Sequence, residues 1–178
     1  DPQSEADETI TKSAALFQTI EQAEEVKLNI LPGSTLQQQK IKPGTGKHIL
    51  LIDHEDSFVH TLANYMRQTG AKVTTLRHGF AESLLDREEP DLVVLSPGPG
   101  NPSDFKVAAT VHACQQRHIP IFGVCLGLQG IVEAFGGELG ILDYPQHGKA
   151  SQISVIGEDS TLFQGLPASF AVGRYHSL

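Results

Sequence analysis

An apolar run ends on a cysteine held between two glycines, Gly123-Val124-Cys125-Leu126-Gly127, and a helix-like segment follows at once. A strand-to-helix corner of this kind is tight. Glycines are needed where side chains of strand and helix would collide, and the central residue is pushed into a strained, exposed position. Its sulfur then lies at a helix N-terminus, where N–H groups and the helix dipole favour thiolate over thiol. Cys125 therefore reads as a nucleophile rather than as an inert core cysteine. Cys114 is the contrast: it follows Val107 and Val111 at helical spacing and reads as core packing.

A second stretch complements the first. Ser96-Pro97-Gly98-Pro99-Gly100-Asn101-Pro102 holds three prolines, which fix φ and donate no N–H bond, so the loop is stiff and non-helical. The two glycines between them leave backbone N–H groups approachable. Pro-Gly clusters are usually plain turns, but beside a cysteine elbow a rigid loop with bare donors suits an oxyanion hole. Its partner would be the N–H of Leu126, directly after the nucleophile. No Gly-Lys-Ser/Thr follows, so this is not a phosphate-cradling loop.

These segments need a scaffold, and the rhythm from Lys47 onward supplies one. Strands are predicted at His48–Asp53, Lys72–Arg77, 91–95 and 118–124, continuously apolar where they are central. Helices are predicted between them: one capped by Asp56 or Ser57 and running to about Thr69, a short piece at 81–86, and one at 104–117 with Val107, Val111 and Cys114 inward. Another helix runs from the Cys125 corner to about Phe135. Phe58, Leu62, Tyr65 and Met66 form the first helix's inward face, and Gly70 closes it. Such alternation predicts an α/β domain, a parallel sheet covered by helices on both faces. Ligands in open parallel sheets bind at the carboxyl ends of strands. The loops at 53–57, 96–102 and 125–129 all fall on that edge. After Gly137 the pattern changes to shorter strands at 138–142, 151–156 and 170–172.

Residues 1–46 differ. The acidic span 5–25 predicts one helix with a thin apolar stripe of Ala15, Leu16, Thr19, Ile20 and Ala23, followed by a polar linker rich in Gln, Pro and Gly. The chain begins at Asp1 and its only methionine is Met66, which points to a piece of a longer polypeptide. Across all 178 residues the hydrophobic share of 39% supports a real core, and the net charge of −8 offers no basic footprint for nucleic acid. No apolar run is long enough to span a membrane, and the acidic N-terminus is no signal peptide. Two cysteines in unlike surroundings form no disulfide framework, which points to a reducing cytoplasm.

Five segments in order, Asp53-His54-Glu55-Asp56-Ser57-Phe58, the loop from Ser96 to Pro102, the corner from Gly123 to Gln129, His147-Gly148-Lys149 and the run from Arg174 to Leu178, resemble the class I (cysteine-triad) glutamine amidotransferases. More narrowly they resemble the glutaminase part of anthranilate synthase, of the kind fused behind a chorismate-using domain. The segment from Ser4 to Ala23 is similar to the closing helix of that other domain. The fold expected is thus a flavodoxin-like, doubly wound, mostly parallel sheet preceded by an acidic helix and linker. Residues 1–46 would be the tail of the synthase domain plus linker, and residues 47–178 an amidotransferase domain incomplete at its C-terminus.

The resemblance implies that Cys125 attacks the side-chain amide of glutamine, with Gly98 and Leu126 as oxyanion-hole donors. It implies a glutamine pocket lined by Gly98, Pro99 and Gly100, with Gln129, Ser177 and Leu178 contacting the α-amino and carboxylate end. His147-Gly148-Lys149 would support a nearby loop. Glutamine and a chorismate-using domain, in cis or as a subunit, are the implied partners, with no nucleic acid and no membrane. The glutaminase domain is expected to need no cofactor or metal, Mg2+ belonging only to the chorismate-using domain. Two departures stand out. Leu128 occupies the place of a histidine in the family's Cys-Leu-Gly-His-Gln motif, and no His-Pro-Glu segment, the source of the catalytic base and its orienting glutamate, occurs in these residues. His176 lies beside the expected substrate contacts, but no histidine present is assigned as the base.

The competing expectations are an amidotransferase serving an aminodeoxychorismate or phenazine-pathway synthase, and a glutamine-binding or docking module without turnover. A flavodoxin-like nucleotide or flavin binder suits the fold but not these loops.

Overall fold

A computed structural model describes residues 42–141, 143–144, 146–157 and 161–176. It divides into two units, one through Gly140 and one from Ile141 onward. The expected acidic helix and most of the expected linker lie outside the described residues. The linker's last residues, 42–46, form a turn on the first unit, where the Gly44 N–H donates to the Thr69 carbonyl at 2.8 Å.

The first unit is built on a parallel sheet of strands β1 (His48–Asp53), β2 (Lys72–Arg77), β3 (Leu92–Leu95) and β4 (Ile121–Gly123), in the order β2-β1-β3-β4. Four helices flank it: α1 (Val59–Gln68), α2 (Ser83–Glu88), α3 (Val107–Gln116) and α4 (Leu126–Ala134). Successive strand residues face opposite sides of a sheet, and both sides are covered. Leu50, Ile52, Val93 and Leu95 pack with Leu85 of α2, Val107, Val111 and Cys114 of α3 and Leu126 of α4. Ile49, Leu51 and Val94 pack with Val59, Leu62 and Ala63 of α1 on the other side. This two-sided burial is why β1 and β3 read as unbroken apolar runs, and each fully buried Leu or Ile contributes about 2 kcal/mol. The strand order and the helices on both faces make the unit a flavodoxin-like doubly wound domain.

Local chemistry moves several boundaries from the sequence expectation. Asp91 does not begin β3. Its carboxylate accepts from the His48 N–H and from Lys47 Nζ, both at 2.8 Å, and ties the starts of two strands together. Asp56 does not cap α1: its Oδ1 accepts the Phe58 N–H at 2.7 Å, turning the chain before the helix, and Phe58 is the N-cap residue. The buried face of α1 is Val59, Leu62 and Ala63; Phe58 and Met66 are half-buried and pack against the same cluster, as expected, and Tyr65 is half-buried. The short helix lies two residues later than expected, and Glu89 at φ 43° caps its C-terminus. The helix expected over 104–117 is broken at Lys106 (φ 52°) into a 3-10 turn, Pro102–Phe105, and α3. Strand β4 keeps only three residues, because His118 adopts φ 55° to close α3 and Pro120 follows.

The second unit is an antiparallel hairpin of β5 (Gln146–Ser154) and β6 (Ser169–His176), with an irregularity between His147 and Lys149 where Gly148 takes φ 66°. Both strands are longer than the pattern suggested. The strand expected over 138–142 is not formed at residues 138–141, and Leu142 lies outside the described residues.

Candidate active site

The strand order reverses between β1 and β3, and the crevice beyond their carboxyl ends is where a doubly wound sheet binds ligands. The loop after β1, the loop after β3 and the corner after β4 belong to that edge.

The corner is strained at its centre. Cys125 has φ 52° and ψ −112°, a conformation that costs a non-glycine residue roughly 1–3 kcal/mol. The surroundings impose it. The Val124 N–H donates to the Leu95 carbonyl, the Gly127 N–H to the Val124 carbonyl and the Gln129 N–H to the Cys125 carbonyl, all at 2.9–3.0 Å. Gly127 lies directly on the main chain of Leu95, and a side chain on Gly123 would overlap the backbone of Gly127 and Leu128. These two glycines let β4 and α4 approach closely enough to hold the elbow. Cys125 is half-buried and outside any disulfide, at the N-cap of α4. The first N–H groups of a helix have no partner within it, and that of Leu126 is the first. Gln129, also half-buried, follows one turn later, and Leu128 is 51% exposed.

The loop after β3 meets this corner. A Cβ placed on Gly98 would lie 2.6 Å from the His54 carbonyl oxygen, 2.8 Å from the His54 Cβ and 3.3 Å from Leu126 Cδ1. Gly98 thus sits between the loop after β1 and the residue that follows the cysteine. Pro97 and Pro99 carry no N–H, and among the described residues neither Gly98 nor Gly100 donates to a backbone carbonyl. Gly100 takes φ 69°, and Asn101 beyond it closes the loop by a capping box with Asp104. The structure therefore sets Gly98 against Leu126, the residue after Cys125, with Gln129 one turn further along α4, while Pro99 and Gly100 are exposed on the same loop as Gly98. Ser177, Leu178 and the side chain of His176 lie outside the described residues.

Sequence reasoning missed His54 and Ser96, which are 1% and 0% exposed. The His54 N–H donates to Ser96 Oγ at 2.9 Å, and His54 Nδ1 lies 3.2 Å from the Ser96 carbonyl and 3.3 Å from Ser96 Oγ. A carbonyl only accepts, so the proton belongs on Nδ1. The ring stacks on His78 and meets the edge of Phe105. Burial holds the His54 imidazole below its ordinary value of 6.5; the Ser96 carbonyl opposes this, and the nearby His78 adds to it. Both residues lie in segments that carry the resemblance, but their residue types do not pair them; the signal particular to His54 was position, a polar residue just after the first strand, where strand order reverses.

This depression has a sign that can be measured. Unfolded His54 takes up a proton near 6.5 and the folded protein resists it, so His54 contributes stability above that pH that is lost as pH falls through the folded value. The urea midpoint is expected to fall between pH 7 and 5, and His54→Asn is expected to flatten that slope. The lowered carboxylates of Glu55, Asp86 and Asp91 act only below their ordinary values of 4.5 and 3.8, outside this window.

A doubly wound α/β domain with a strained cysteine elbow facing a Pro-Gly loop is the class of protein these features define. Residues 50–178 match the model of the class-I glutamine amidotransferase family, and the chain belongs to it. It is 52% identical over 178 residues to an anthranilate synthase from Azospirillum brasilense, covering all of this chain and 23% of that one. It is 42% identical over 132 residues to component 2 of anthranilate synthase from Methanocaldococcus jannaschii, covering 74% of this chain and 65% of that one. Among solved structures, a GMP synthase component from Thermoplasma acidophilum superposes with a TM-score of 0.65 at 25% identity, over 74% of this chain and 65% of that one. The chain thus spans less than a quarter of the first of these relatives. Among the described residues no helix is long and apolar enough to cross a membrane, and no group of three or more His, Cys, Asp or Glu could hold a metal ion.

Proposed function

We infer that the chain is the glutaminase part of an anthranilate synthase, supplying ammonia for the amination of chorismate on the route to tryptophan. The observation that carries this is the meeting of Gly98 with Leu126 beside the strained Cys125. The names of the relatives from Azospirillum and Methanocaldococcus support the choice of acceptor. Cys125 Sγ adds to the amide carbon of the glutamine side chain, and the oxygen that becomes negative is met by the N–H groups of Gly98 and Leu126. Collapse of this intermediate breaks the C–N bond and releases ammonia, leaving a γ-glutamyl thioester that water cleaves to glutamate. The loop at Pro99 and Gly100 walls the glutamine pocket, and Gln129 holds the amino-acid end. A chorismate-using domain, fused or separate, is the partner, and it holds the Mg2+; the glutaminase step needs none. The setting is cytoplasmic.

The proton transfers need a base that is not among these residues, since no His-x-Glu segment occurs in the chain. Ammonia release from glutamine by the 178 residues is therefore expected to run about 10²–10⁴-fold below that of a complete triad. After acid quench, intact-mass measurement is expected to find a γ-glutamyl adduct on Cys125, absent in Cys125→Ala. Rapid, sustained ammonia release would overturn the assignment of the base, and failure to find any adduct would overturn that of the nucleophile.

A further inference from the structure

His54 takes no part in the chemistry above, yet it saturates the residue that opens the Pro-Gly loop. Every polar group of Ser96 is committed. Its N–H donates to the Ile52 carbonyl at 3.1 Å, and its carbonyl accepts from His54 Nδ1 at 3.2 Å. Its Oγ accepts from the His54 N–H at 2.9 Å and faces Nδ1–H at 3.3 Å. With both lone pairs facing N–H donors, the hydroxyl keeps one option, to donate its proton, and it does so to the Pro97 carbonyl at 2.6 Å. That carbonyl and the N–H of Gly98 belong to one rigid peptide plane and point in opposite directions. Fixing the one aims the other. The ring of Pro97 locks φ one bond earlier, and the His54 main chain and Cβ press on Gly98 from behind.

We propose that His54 is a positioning residue for acyl transfer: by occupying the lone pairs of Ser96 Oγ, it turns that hydroxyl onto the Pro97 carbonyl and so orients the Gly98 N–H as an oxyanion donor. This rests on the function proposed above and adds a residue to it. An apolar side chain of similar size would fill the space and keep the main-chain N–H on Ser96 Oγ, but it would leave the second lone pair of the hydroxyl, and the carbonyl, without the Nδ1–H donor. Asparagine can place an N–H donor where Nδ1–H stands, so it preserves the device.

The test separates attack on a carbonyl from attack on saturated carbon. The chain is mixed with the γ-(p-nitrophenyl) ester of L-glutamate. The Cys125 thiolate adds to the ester carbonyl, p-nitrophenolate leaves, and a γ-glutamyl thioester remains, through an intermediate that bears an oxyanion. Iodoacetamide alkylates the same thiolate by displacing iodide and forms none. His54→Leu is expected to slow the nitrophenolate burst by about 10–10²-fold, part of what a lost oxyanion donor costs, while alkylation stays within about twofold. His54→Asn is expected to recover most of the burst. Ser96→Ala, which removes the hydroxyl and tests the device if His54→Leu does not fold, is expected to match the loss. Combining it with His54→Leu should add little, as for residues acting through one network. An unchanged burst in His54→Leu and Ser96→Ala, or an equal slowing of both reactions, overturns the role of His54 and leaves the proposed function standing. No burst in the unsubstituted chain overturns that function, and this role with it.

Discussion

A glutamine-like chloroketone is expected to alkylate Cys125 in the folded chain and to spare Cys114, and Cys125→Ala is expected to abolish incorporation. The two thiols differ in burial and in place. Cys114 is fully buried on the inner face of α3, and burial pushes its thiol up to about 11, with Arg117 opposing the shift only in part. The thiolate is the reactive form. At pH 8, three units below that value, on the order of one Cys114 in a thousand is ionised, and no reagent reaches it without opening the core. Cys125 stands half-buried at a helix N-terminus on the carboxyl edge of the sheet, beside the Pro-Gly loop. Peptide mapping after brief labelling at pH 8 should place essentially all adduct on Cys125, and the same reagent in urea should reach both. Equal labelling of the two thiols in the folded state would sink the assignment of the nucleophile.

The largest stability effect outside the bulk core is expected from Gly127→Ala, a loss of about 3 kcal/mol read from the urea midpoint. Helix propensity argues the other way, since alanine is better than glycine inside a helix by up to about 1 kcal/mol. Packing decides it. The new methyl would meet the carbonyl oxygen, carbonyl carbon and Cβ of Leu95, all inside contact distance, and two of these are main chain of an interior strand that cannot swing aside. Either α4 moves off the sheet or β3 bends, and both displace the elbow. The labelling rate of Cys125 should fall in parallel. Gly140→Ala, where nothing lies within 4 Å of the added carbon, is the control and should change stability by no more than about 0.5 kcal/mol. A Gly127→Ala protein as stable as the original would refute the claim that close packing imposes the corner.

What the sequence disclosed, and what it withheld, follows from the range of the interactions involved. Strand His48–Asp53 was legible in full because burial on both faces leaves it an unbroken apolar run, and Lys72–Arg77 because its β-branched and apolar residues follow directly on the break at Gly70. The Cys125 corner was legible because its glycines are local requirements of a local turn. The break at Lys106 was not, since a lysine at φ 52° is imposed by the capping box before it and the packing of α3 after it, not by any preference of its own. The shortening of β4 has a similar origin in His118. His54 was hidden for a different reason. Its partner Ser96 lies 42 residues away across the sheet, whereas periodicity compares it only with neighbours along the chain, such as His60.

The strain at Cys125 carries a consequence for any attempt to make this fold more robust. The conformation at φ 52° is one that the cysteine would leave if its neighbours allowed, and they hold it there through the fit of Gly123, Gly127 and Leu95. Selection for resistance to heat alone would favour changes that let the corner relax, and each would turn the sulfur away from its edge. Variants ranked by melting temperature should therefore run partly opposite to variants ranked by thiol reactivity wherever the substitution touches β3, β4 or the first turn of α4.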